Sequence, residues 1–533
     1  MSARAAAPDG RPRTFTRADA IDRLAAEQFD VLVIGGGITG AGVALDAASR
    51  GLRTALVEKD DFASGTSSKS SKLIHGGLRY LQQGEYRLVY ENLHERQRLL
   101  NNAPHLVAPL PFLIPLFGKA GMVNKSVARV YRTALWLYDL TGGVRIGKRH
   151  EKVDQARALR HMPTLQADRL AAGFLYWDAR SDDSRLTLTV LRTAVLDHGA
   201  VACNHAPAVG LLADADGTVR GARVAPAGGP EIEVRASVVV NATGVWSDEI
   251  RTLDEHEDPH SIRPAKGIHI TVPAAALPCD IAAVIPVRAD HRSIFVVSWG
   301  EQVYLGTTDT SYEGPLDDPA CEPEDVDYVL DAVNAVVTQP LTRADVTGLW
   351  SGLRPLLAPE QKGASRERTA DLSRRHTVRT SPSGMVTITG GKLTTYRKMA
   401  EDTVDVVVRA LGRPKLRCAT ASLRLHGAPA GGRAPRPVVG AGAGTPTRDE
   451  HLAGRFGTEA ADVLALIDGR PELGAPLVPG LPYLAAEAVW AVRHEMADSV
   501  SDVLDRRTQA AYRDARATAA AAPDVARLIG AEL

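Results

Sequence analysis

The chain has 533 residues, of which 63 are Lys or Arg and 63 are Asp or Glu, so its formal net charge is zero. This balance excludes the positive charge of a dedicated nucleic-acid-binding protein and the charge excess of an acidic disordered protein. Four dispersed cysteines fit neither a disulfide framework nor a zinc site, and no other metal motif is present, which favours a reducing compartment. The length suggests roughly three to four ordinary domains, or two large ones.

The amino-terminal residues 1–28 are predicted to form a polar, mobile leader, because MSARAAAPDGRPRTF lacks the apolar core of a signal peptide. No apolar run approaches the roughly 20 residues that a membrane-spanning helix needs. The best candidate, residues 106–117 (LVAPLPFLIPLF), is too short and contains three prolines. The sequence therefore predicts a cytoplasmic protein, with peripheral contact from the cytoplasmic face as the only form of membrane association.

The first strong pattern is a strand–turn–helix–strand unit between residues 29 and 61. Buried strands are predicted at 30–34 and 54–58, and Gly35, Gly37 and Gly40 between them fit the spacing G-x-G-x-x-G. These glycines allow a tight turn, close approach of a pyrophosphate and helix packing, while Glu58 can accept hydrogen bonds from a ribose. The unit predicts a dinucleotide site, with a merely glycine-rich turn as the alternative.

The sequence beyond Glu58 favours FAD over NAD. A Ser- and Gly-rich stretch (DFASGTSSKSSKLIHGGLRYL) is suited to lying along a long cofactor, and the distant segments VVVNATG and TGGKLTTY are expected to close around the same ligand. No second G-x-G-x-x-G with a trailing acid follows, so a separate NAD domain is not expected. FAD is therefore predicted as the only redox cofactor. The residues predicted to bind it are Ile34, Gly35, Gly36, Gly37, Ile38, Thr39, Gly40, Glu58, Lys59, Thr66, Ser67, Ser68, Lys72, Leu73, His75, Ala242, Gly244, Gly391, Leu393 and Thr394.

The remaining elements follow from hydrophobic periodicity and turn residues. We predict helices at 87–101 and 123–140, a β-meander at 201–244, an antiparallel sheet at 261–310, and a strand, glycine pair and helix after Met385. The predicted regions are a leader (1–28), an oxidoreductase region (29–426), a Gly/Pro linker (427–448) and a helical carboxy-terminal domain (449–533). Within 29–426, FAD-binding parts are placed at about 29–105, 185–260 and 350–426, and substrate parts at about 106–184 and 261–349.

Two further segments leave alternatives open. In 123–140, apolar Val123, Val127, Val130, Ala134 and Leu137 alternate with basic Lys125, Arg129 and Arg132, which predicts an amphipathic helix. Together with residues 106–117, this helix either touches a membrane surface or packs on the core. The acidic pair Asp182-Asp183 is interpreted as a solvated or capping turn.

Seven segments together resemble the FAD-dependent glycerol-3-phosphate dehydrogenase family. They are SSKLIHGGLRYL (70–81), NATGVW (241–246), KGIHI (266–270), LGTTDT (305–310), SGLRPL (351–356), TGGKLTTYRKMAE (389–401) and VRHEMADSVSDVLDRRT (492–508). The resemblance implies an α/β fold: a glutathione-reductase-like FAD-binding (Rossmann-type) domain with an inserted antiparallel-sheet substrate domain and a small all-α carboxy-terminal domain.

The resemblance also implies an activity. sn-Glycerol 3-phosphate would be oxidised to dihydroxyacetone phosphate by hydride transfer to flavin N5, with a quinone as electron acceptor. An oxidase that uses O₂ and gives H₂O₂ is the alternative in the same class, and a non-catalytic FAD sensor is a more distant one. A membrane surface and a homodimer partner are further interactions that the pattern allows, whereas nucleic acid is not expected.

The family's substrate contacts correspond to Arg79, Tyr80, His269, Arg354, Lys392 and Arg374 of this chain. Arg374 has rivals nearby, namely Arg366, Arg368 and Arg375. A phosphate monoester carries nearly two negative charges and favours several arginines around it. A neutral His269 would act as general base, with Arg354 or Lys392 as the alternative groups that assist proton loss. His269, Arg354 and Lys392 are thus the predicted catalytic residues.

Overall fold

The structure is a computed structural model that describes residues 14–82, 84–118, 125–287, 292–358, 375–430 and 446–533. Within these ranges the strands are β1 (Gln28–Ile34), β2 (Thr54–Val57), β3 (Leu73–Ile74), β4 (Val107–Phe117), β5 (Glu151–Asp154), β6 (Leu170–Ser181), β7 (Val201–Cys203), β8 (Ala208–Ala213), β9 (Val219–Val224), β10 (Ile232–Asn241), β11 (Ile262–Pro273), β12 (Ala282–Pro286), β13 (Ser293–Trp299), β14 (Gln302–Gly306), β15 (Thr310–Ser311), β16 (Gly348–Leu357), β17 (Thr377–Thr380) and β18 (Val386–Thr389).

The helices in the same ranges are α1 (Arg17–Ala26), α2 (Ile38–Ser49), α3 (Leu78–Gln82), α4 (Tyr86–Asn102), α5 (Lys125–Leu140), α6 (Gln155–His161), α7 (Asp183–Arg192), α8 (Ser247–Glu255), α9 (Pro323–Asn334), α10 (Tyr396–Ala410), α11 (Arg448–Phe456), α12 (Ala460–Gly469), α13 (Ala485–Glu495), α14 (Ala510–Arg513) and α15 (Ala515–Gly530). The predicted strands, meander and helices of the core therefore form, with ends shifted by a few residues.

The first sheet has the order β17-β18-β10-β1-β2-β7, and the β8–β9 hairpin continues antiparallel from β10. β18, β10, β1, β2 and β7 run parallel, so their carboxyl ends meet at one edge. Helices α2, α7 and α10 pack together over this sheet. β2 is buried along its whole length and β1 from Phe29 onward, as expected for the interior of a parallel sheet.

The second sheet is built from two separate stretches of chain. β15-β11-β14-β13-β12-β4-β6-β3 form its main path, while β16 pairs with β11 and β5 with β6. Its pairing is antiparallel except between β12 and β4. Because β16 extends to Leu357, the sheet runs past the boundary that the sequence predicts at 349/350. The expected inserted antiparallel sheet is confirmed.

One expectation about the first 120 residues is wrong, and one open alternative is decided by the structure. Residues 15–26 are not a mobile leader, because Phe15 and Leu24 are buried and α1 packs on β7 and β10. Of the two alternatives left open for residues 106–117, packing on the core is the one observed, because Val107–Phe117 forms β4 in the interior of the second sheet. This strand contains three prolines and has a register shift at Leu116/Phe117. Hydrophobicity alone could not distinguish such a buried strand from a segment at a membrane interface.

The carboxy-terminal domain is all α, as predicted, and it docks on both sheets. Arg506 and Arg507 form ion pairs with Asp61, which follows β2. Arg185 of α7 pairs with Glu495. The predicted linker has residues 431–445 outside the described part of the chain. Among the described helices, none combines the length and apolarity required to span a bilayer.

Candidate active site

The glycine-rich turn joins β1 to α2 at the carboxyl edge of the first sheet. Gly35 has a φ of +111°, which is strained for any residue with a side chain, and a Cβ there would lie 2.7 Å from the Ala242 carbonyl oxygen. A Cβ on Gly40 would collide with the Gly35 carbonyl oxygen. The turn is therefore as tight as the G-x-G-x-x-G spacing requires, and Gly37 is the residue immediately before α2.

Glu58 directly follows β2 and lies beside this turn, where the sequence predicts it. Its carboxylate accepts hydrogen bonds from the backbone N–H groups of Gly36, at 2.5 Å, and Asp60, at 2.9 Å. Burial raises the pKa of Glu58, and these two hydrogen bonds offset part of that effect. A carboxylate has about four acceptor positions, so two remain for ribose hydroxyl groups.

Residues from distant parts of the chain close around the same edge. Ser67 accepts a hydrogen bond from the Ile38 N–H at 2.8 Å, which places it at the amino terminus of α2 next to Thr39. The Ala242 N–H donates to the Ile34 carbonyl oxygen at 2.9 Å, and Gly244 follows with a φ of +62°. Here the fold brings together β1, α2 and the segment after β10.

The segment after β18 meets the Ser- and Gly-rich stretch. Gly390 and Gly391 have positive φ values and lead into a short 3₁₀ turn, Leu393–Thr395, that continues as α10. The Thr394 hydroxyl oxygen accepts a hydrogen bond from the His75 N–H at 3.1 Å. Lys392 lies over the Tyr80 ring, with its Nζ 3.8 Å from the ring centre. The predicted residues in 75–80 and 391–394 are thus neighbours.

The Ser-rich stretch crosses from the first sheet onto the second. Thr66 donates a hydrogen bond to the Leu353 carbonyl oxygen at 2.6 Å, and a Cβ on Gly352 would come 2.6 Å from the Lys69 carbonyl oxygen. Further along, the Ser71 hydroxyl lies 2.8 Å from Nε2 of His269. The chain that leaves the dinucleotide turn therefore lies directly on strands β16 and β11.

Lys72 and Asp183 anchor this crossing. Nζ of Lys72 is 2.8 Å from Oδ1 of Asp183, and Oδ2 of Asp183 accepts hydrogen bonds from the N–H and hydroxyl of Ser70. The sequence indicates either a solvated or a capping turn at Asp182-Asp183. Asp182 caps α7, whereas Asp183 is fully buried and not solvated. Spacing gave no indication of this role, because 111 residues separate Lys72 from Asp183.

His269 is buried on β11 between aromatic rings. Its imidazole stacks on Trp350, with centroids 4.7 Å apart and planes within 8°, and meets Tyr304 edge-on. Burial, with Lys72 and Arg354 nearby, holds its pKa well below the ordinary value, so the ring is neutral at pH 7. Nε2 contacts Ser71, whereas Nδ1 has no hydrogen-bond partner within the described ranges.

Arg354 projects from β16 on the same face as His269. In the β11–β16 register Arg354 lies opposite Ala265 and His269 opposite Trp350, and Gly267 between them leaves space for the guanidinium group. Arg354 pairs with Asp309 at 3.2 Å and donates to the Thr308 carbonyl oxygen at 3.0 Å. Asp309 lies in LGTTDT, one of the segments that carry the family resemblance, but the sequence pattern assigns no role to this residue.

Three of the other predicted cofactor residues have the following surroundings. Lys59 pairs with Asp317 at 2.5 Å and lies over the Trp246 ring. Leu73 belongs to β3, and Ser68 is buried beside Lys72. Arg375 pairs with Glu85. Lying outside the described residues are Arg366, Arg368 and Arg374, together with the side chain of Arg79, whose backbone belongs to α3.

The fold combines a largely parallel sheet, which carries the dinucleotide turn, with a second, largely antiparallel sheet. This is the fold of a Rossmann-type oxidoreductase. The family profile described as "FAD dependent oxidoreductase" matches residues 30–397, and "C-terminal domain of alpha-glycerophosphate oxidase" matches 418–533. "Glycerol-3-phosphate dehydrogenase 2" of Mycobacterium bovis is 43% identical over 496 residues, which is 92% of this chain and 82% of that protein.

Two further comparisons agree. The human protein "Glycerol-3-phosphate dehydrogenase, mitochondrial" is 38% identical over 95% of this chain and 71% of its own length. The crystal structure of glycerol-3-phosphate dehydrogenase from Bacillus halodurans, complexed with FAD, superposes with a TM-score of 0.76 at 32% identity, covering 97% of this chain and 92% of that one. The chain belongs to the FAD-dependent glycerol-3-phosphate dehydrogenase family.

FAD is the cofactor of this family, and the residues at the carboxyl edge of the first sheet fit it. Side chains at Gly35 or Gly40 would fill or distort the turn that holds a pyrophosphate. Glu58 lies at the end of β2, where it could accept hydrogen bonds from a ribose, and the amino terminus of α2 favours a phosphate anion. The predicted cofactor is thus confirmed, while its individual contacts remain predictions.

Proposed function

We propose that this protein oxidises sn-glycerol 3-phosphate to dihydroxyacetone phosphate, at a site between the glycine-rich turn and the second sheet. The observation that carries the proposal is the placement of His269 and Arg354 on one sheet face, directly under the chain that leaves the turn. Both the Mycobacterium bovis and the human relatives are named glycerol-3-phosphate dehydrogenases.

The phosphate group is proposed to bind Arg354, Lys392, Tyr80, Arg79 and Arg374. Arginine offers a planar pair of donors that matches phosphate oxygens, and Lys392 adds a point charge beside the Tyr80 ring. Arg354 is about one quarter exposed and held in place by Asp309. It therefore combines a fixed position with access to a substrate.

His269 is proposed to accept the proton of the secondary alcohol. A base must be unprotonated before reaction, and the lowered pKa of His269 keeps the imidazole neutral. The Ser71 hydroxyl fixes the ring through Nε2, and Trp350 prevents it from rotating out of its plane. The two negative charges of a bound phosphate would counter the Arg354 charge and strengthen the base. Arg354 and Lys392 are the alternative groups for proton removal.

When bound, FAD supplies the hydride acceptor, its N5 atom, for the carbon-bound hydrogen of the substrate. The protein's task is to hold the alcohol carbon against the flavin and to exclude water. The short 3₁₀ turn and α10 after Lys392 present a helix amino terminus to this site, which favours negative charge there.

The electron acceptor is proposed to be a quinone, taken from a membrane surface by a peripheral protein on the cytoplasmic face. The supporting observation is α5, on which Val130, Trp136 and Leu140 are 58%, 58% and 69% exposed. Arg129 and Arg132 are exposed on the same helix, and Tyr86 and Tyr90 of α4 are each 52% exposed. Apolar and basic side chains in this combination suit an interfacial helix. Val123 and the side chains of Lys125 and Val127 lie outside the described residues.

Anaerobic addition of glycerol 3-phosphate to the yellow holoenzyme tests the activity. Loss of the oxidised flavin absorbance is the expected result, and an unchanged spectrum at saturating substrate would contradict the proposal. Reoxidation of the bleached enzyme by a soluble quinone should then be much faster than reoxidation by O₂. The opposite ratio would identify a glycerol-3-phosphate oxidase instead.

A further inference from the structure

A cavity of about 580 Å³ lies between the second sheet and the carboxy-terminal domain, away from the glycine-rich turn. Leu106 and Trp299 line it from the sheet side, and Tyr483, Gln509 and Arg513 line it from the helical domain. Tyr304 separates it from His269, since its ring lines the cavity and also meets the imidazole edge-on. The volume is that of an ordinary small-molecule site, which is roughly 300–1,000 Å³.

Four residues that line this cavity carry a buried polar atom without a partner within the described part of the chain: Arg185 and Arg513 at Nε, and Gln302 and Gln509 at Oε1. Two of these atoms belong to the helical domain: Oε1 of Gln509, a fully buried residue, and Nε of Arg513, which is 8% exposed. Folded proteins rarely leave such atoms unsatisfied without a reason. One is an acceptor and the other a donor, so a ligand with both kinds of group, or a ligand and a water molecule, would satisfy them.

The charge of Arg513 points to the kind of ligand. Its guanidinium lies 4.3 Å from the centre of the Trp299 ring and 5.5 Å from that of Tyr483. Burial lowers the pKa of Arg513 and Arg455 adds to this effect, while Tyr483 and Asp182 offset only part of it. Arg180, in the same wall, has its pKa lowered to about 10 by burial. An anion in the cavity would relieve the cost of these buried charges.

Two of the acids that line the cavity are already engaged. Asp182 pairs with Arg455 at 3.1 Å, and Glu450 accepts the N–H and hydroxyl hydrogen bonds of Thr447 at the start of α11. Arg185, a further lining residue, is balanced by Glu495. The stretch 427–446 that leads into α11 contains no Asp or Glu, so it offers no side-chain anion. Glu301 is a third lining acid, but five lining residues are Lys or Arg, so the wall of the cavity still carries more positive than negative side chains.

We propose that this cavity binds a small organic anion, with a carboxylate or phosphate head group at Arg513 and Gln509 and an apolar body against Leu106, Leu481 and Pro482. The ligand would join the carboxy-terminal domain to the second sheet. It would occupy a site separate from that of glycerol 3-phosphate, because neither His269 nor Arg354 lines the cavity.

Calorimetric titration of the holoenzyme with benzoate and with phenyl phosphate tests the proposal, and benzyl alcohol serves as the neutral probe. At least one of the two anions should bind once per chain in the presence of saturating glycerol 3-phosphate under anaerobic conditions, and the better one identifies the head group. Benzyl alcohol should bind at least tenfold more weakly. No binding of either anion at millimolar concentration, or equal binding of the alcohol, would overturn the proposal.

Three variants locate the binding. Arg513→Met should weaken it at least tenfold, whereas Arg527→Met, which removes an exposed arginine of α15, should leave it unchanged. Gly454→Phe is the second test, since a Cβ on this lining residue meets no atom within 4 Å and a larger side chain would fill the cavity. Unchanged affinity in folded Gly454→Phe or Arg513→Met protein would overturn the assignment. Flavin content and the unfolding midpoint establish that each variant is folded.

Discussion

Nε2 of His269 lies 2.8 Å from the hydroxyl oxygen of Ser71, and this contact joins the Ser- and Gly-rich stretch to the second sheet. Ser71 belongs to the stretch that begins at the dinucleotide turn, whereas His269 lies on β11 of the second sheet. A shift of either sheet relative to the other would therefore alter the orientation of the proposed base.

Replacing Ser71 by alanine should lower kcat about three- to tenfold, with little change in KM, because one hydrogen bond of roughly 1 kcal/mol orients the ring.

His269→Gln should lower kcat about a hundredfold or more if the imidazole is the general base. Steady-state kinetics normalised to bound flavin measure both effects. Full activity of His269→Gln would reassign proton removal to Arg354 or Lys392.

Arg354→Ala should raise the KM for glycerol 3-phosphate at least about 30-fold while FAD stays bound, because loss of a partly buried charged contact to the phosphate costs about 2 kcal/mol. The matched control is Arg343→Ala, which removes an exposed arginine paired with Asp327 in the same region. An unchanged KM in Arg354→Ala would remove this residue from the phosphate site.

Gly40→Ala should yield protein that retains little FAD, because the added Cβ would displace the Gly35 carbonyl and open the turn. Gly454→Ala is the control, since its Cβ has free space within helix α11 and alanine favours a helix by about 1 kcal/mol over glycine. The ratio of flavin to protein absorbance reports the outcome. Normal flavin content in Gly40→Ala would contradict the proposed role of this turn.

His426 should stabilise the fold at neutral pH and lose this effect in alkali. It lies 2.9 Å from Asp197 and 3.3 Å from Glu459; burial opposes its charged form, but these carboxylates prevail and raise its pKa to about 9. The folded pKa exceeds the unfolded value, so the stabilisation is complete below about pH 6.5 and disappears as the pH rises through about 9.

The measurement is the difference in unfolding free energy between wild type and His426→Gln. It should be on the order of 2 kcal/mol at about pH 6 and close to zero at about pH 10. His260→Gln, at a histidine whose side chain is 85% exposed, should show no such dependence. A difference that is constant with pH would show that His426 does not act through its charge.

Vesicle flotation tests the exposed face of α5. Wild-type protein should float with anionic vesicles at low salt and less at high salt, because Arg129 and Arg132 contribute electrostatic attraction. Replacing both Trp136 and Leu140 by serine should reduce flotation at either salt concentration, with activity towards a soluble quinone retained. Absence of wild-type flotation under both conditions would leave α5 without a membrane role.

Patterns along the chain were sufficient for the first part of the site. Gly35, Gly40 and Glu58 lie within one strand–helix–strand unit, and the physical demands of a tight turn and a ribose acceptor restrict the residues at those positions. The motif resemblance predicts that His269, Arg354 and Lys392 belong to the site as well. The prediction for residues 15–26 was wrong and the role of residues 106–117 stayed open, because composition does not tell which partner covers an apolar segment.

The supporting contacts depended on the tertiary fold. Ser71 and His269 are 198 residues apart, and Arg354 and Asp309 are 45 apart, so no spacing rule connects either pair. The zero net charge likewise gave no indication of the buried arginines that line the cavity beneath the carboxy-terminal domain. The sequence by itself determined the cofactor turn and the family, because these depend on near neighbours in the chain. Which groups meet across the two sheets was decided only by their packing, because burial and hydrogen bonding act between residues that are close in space.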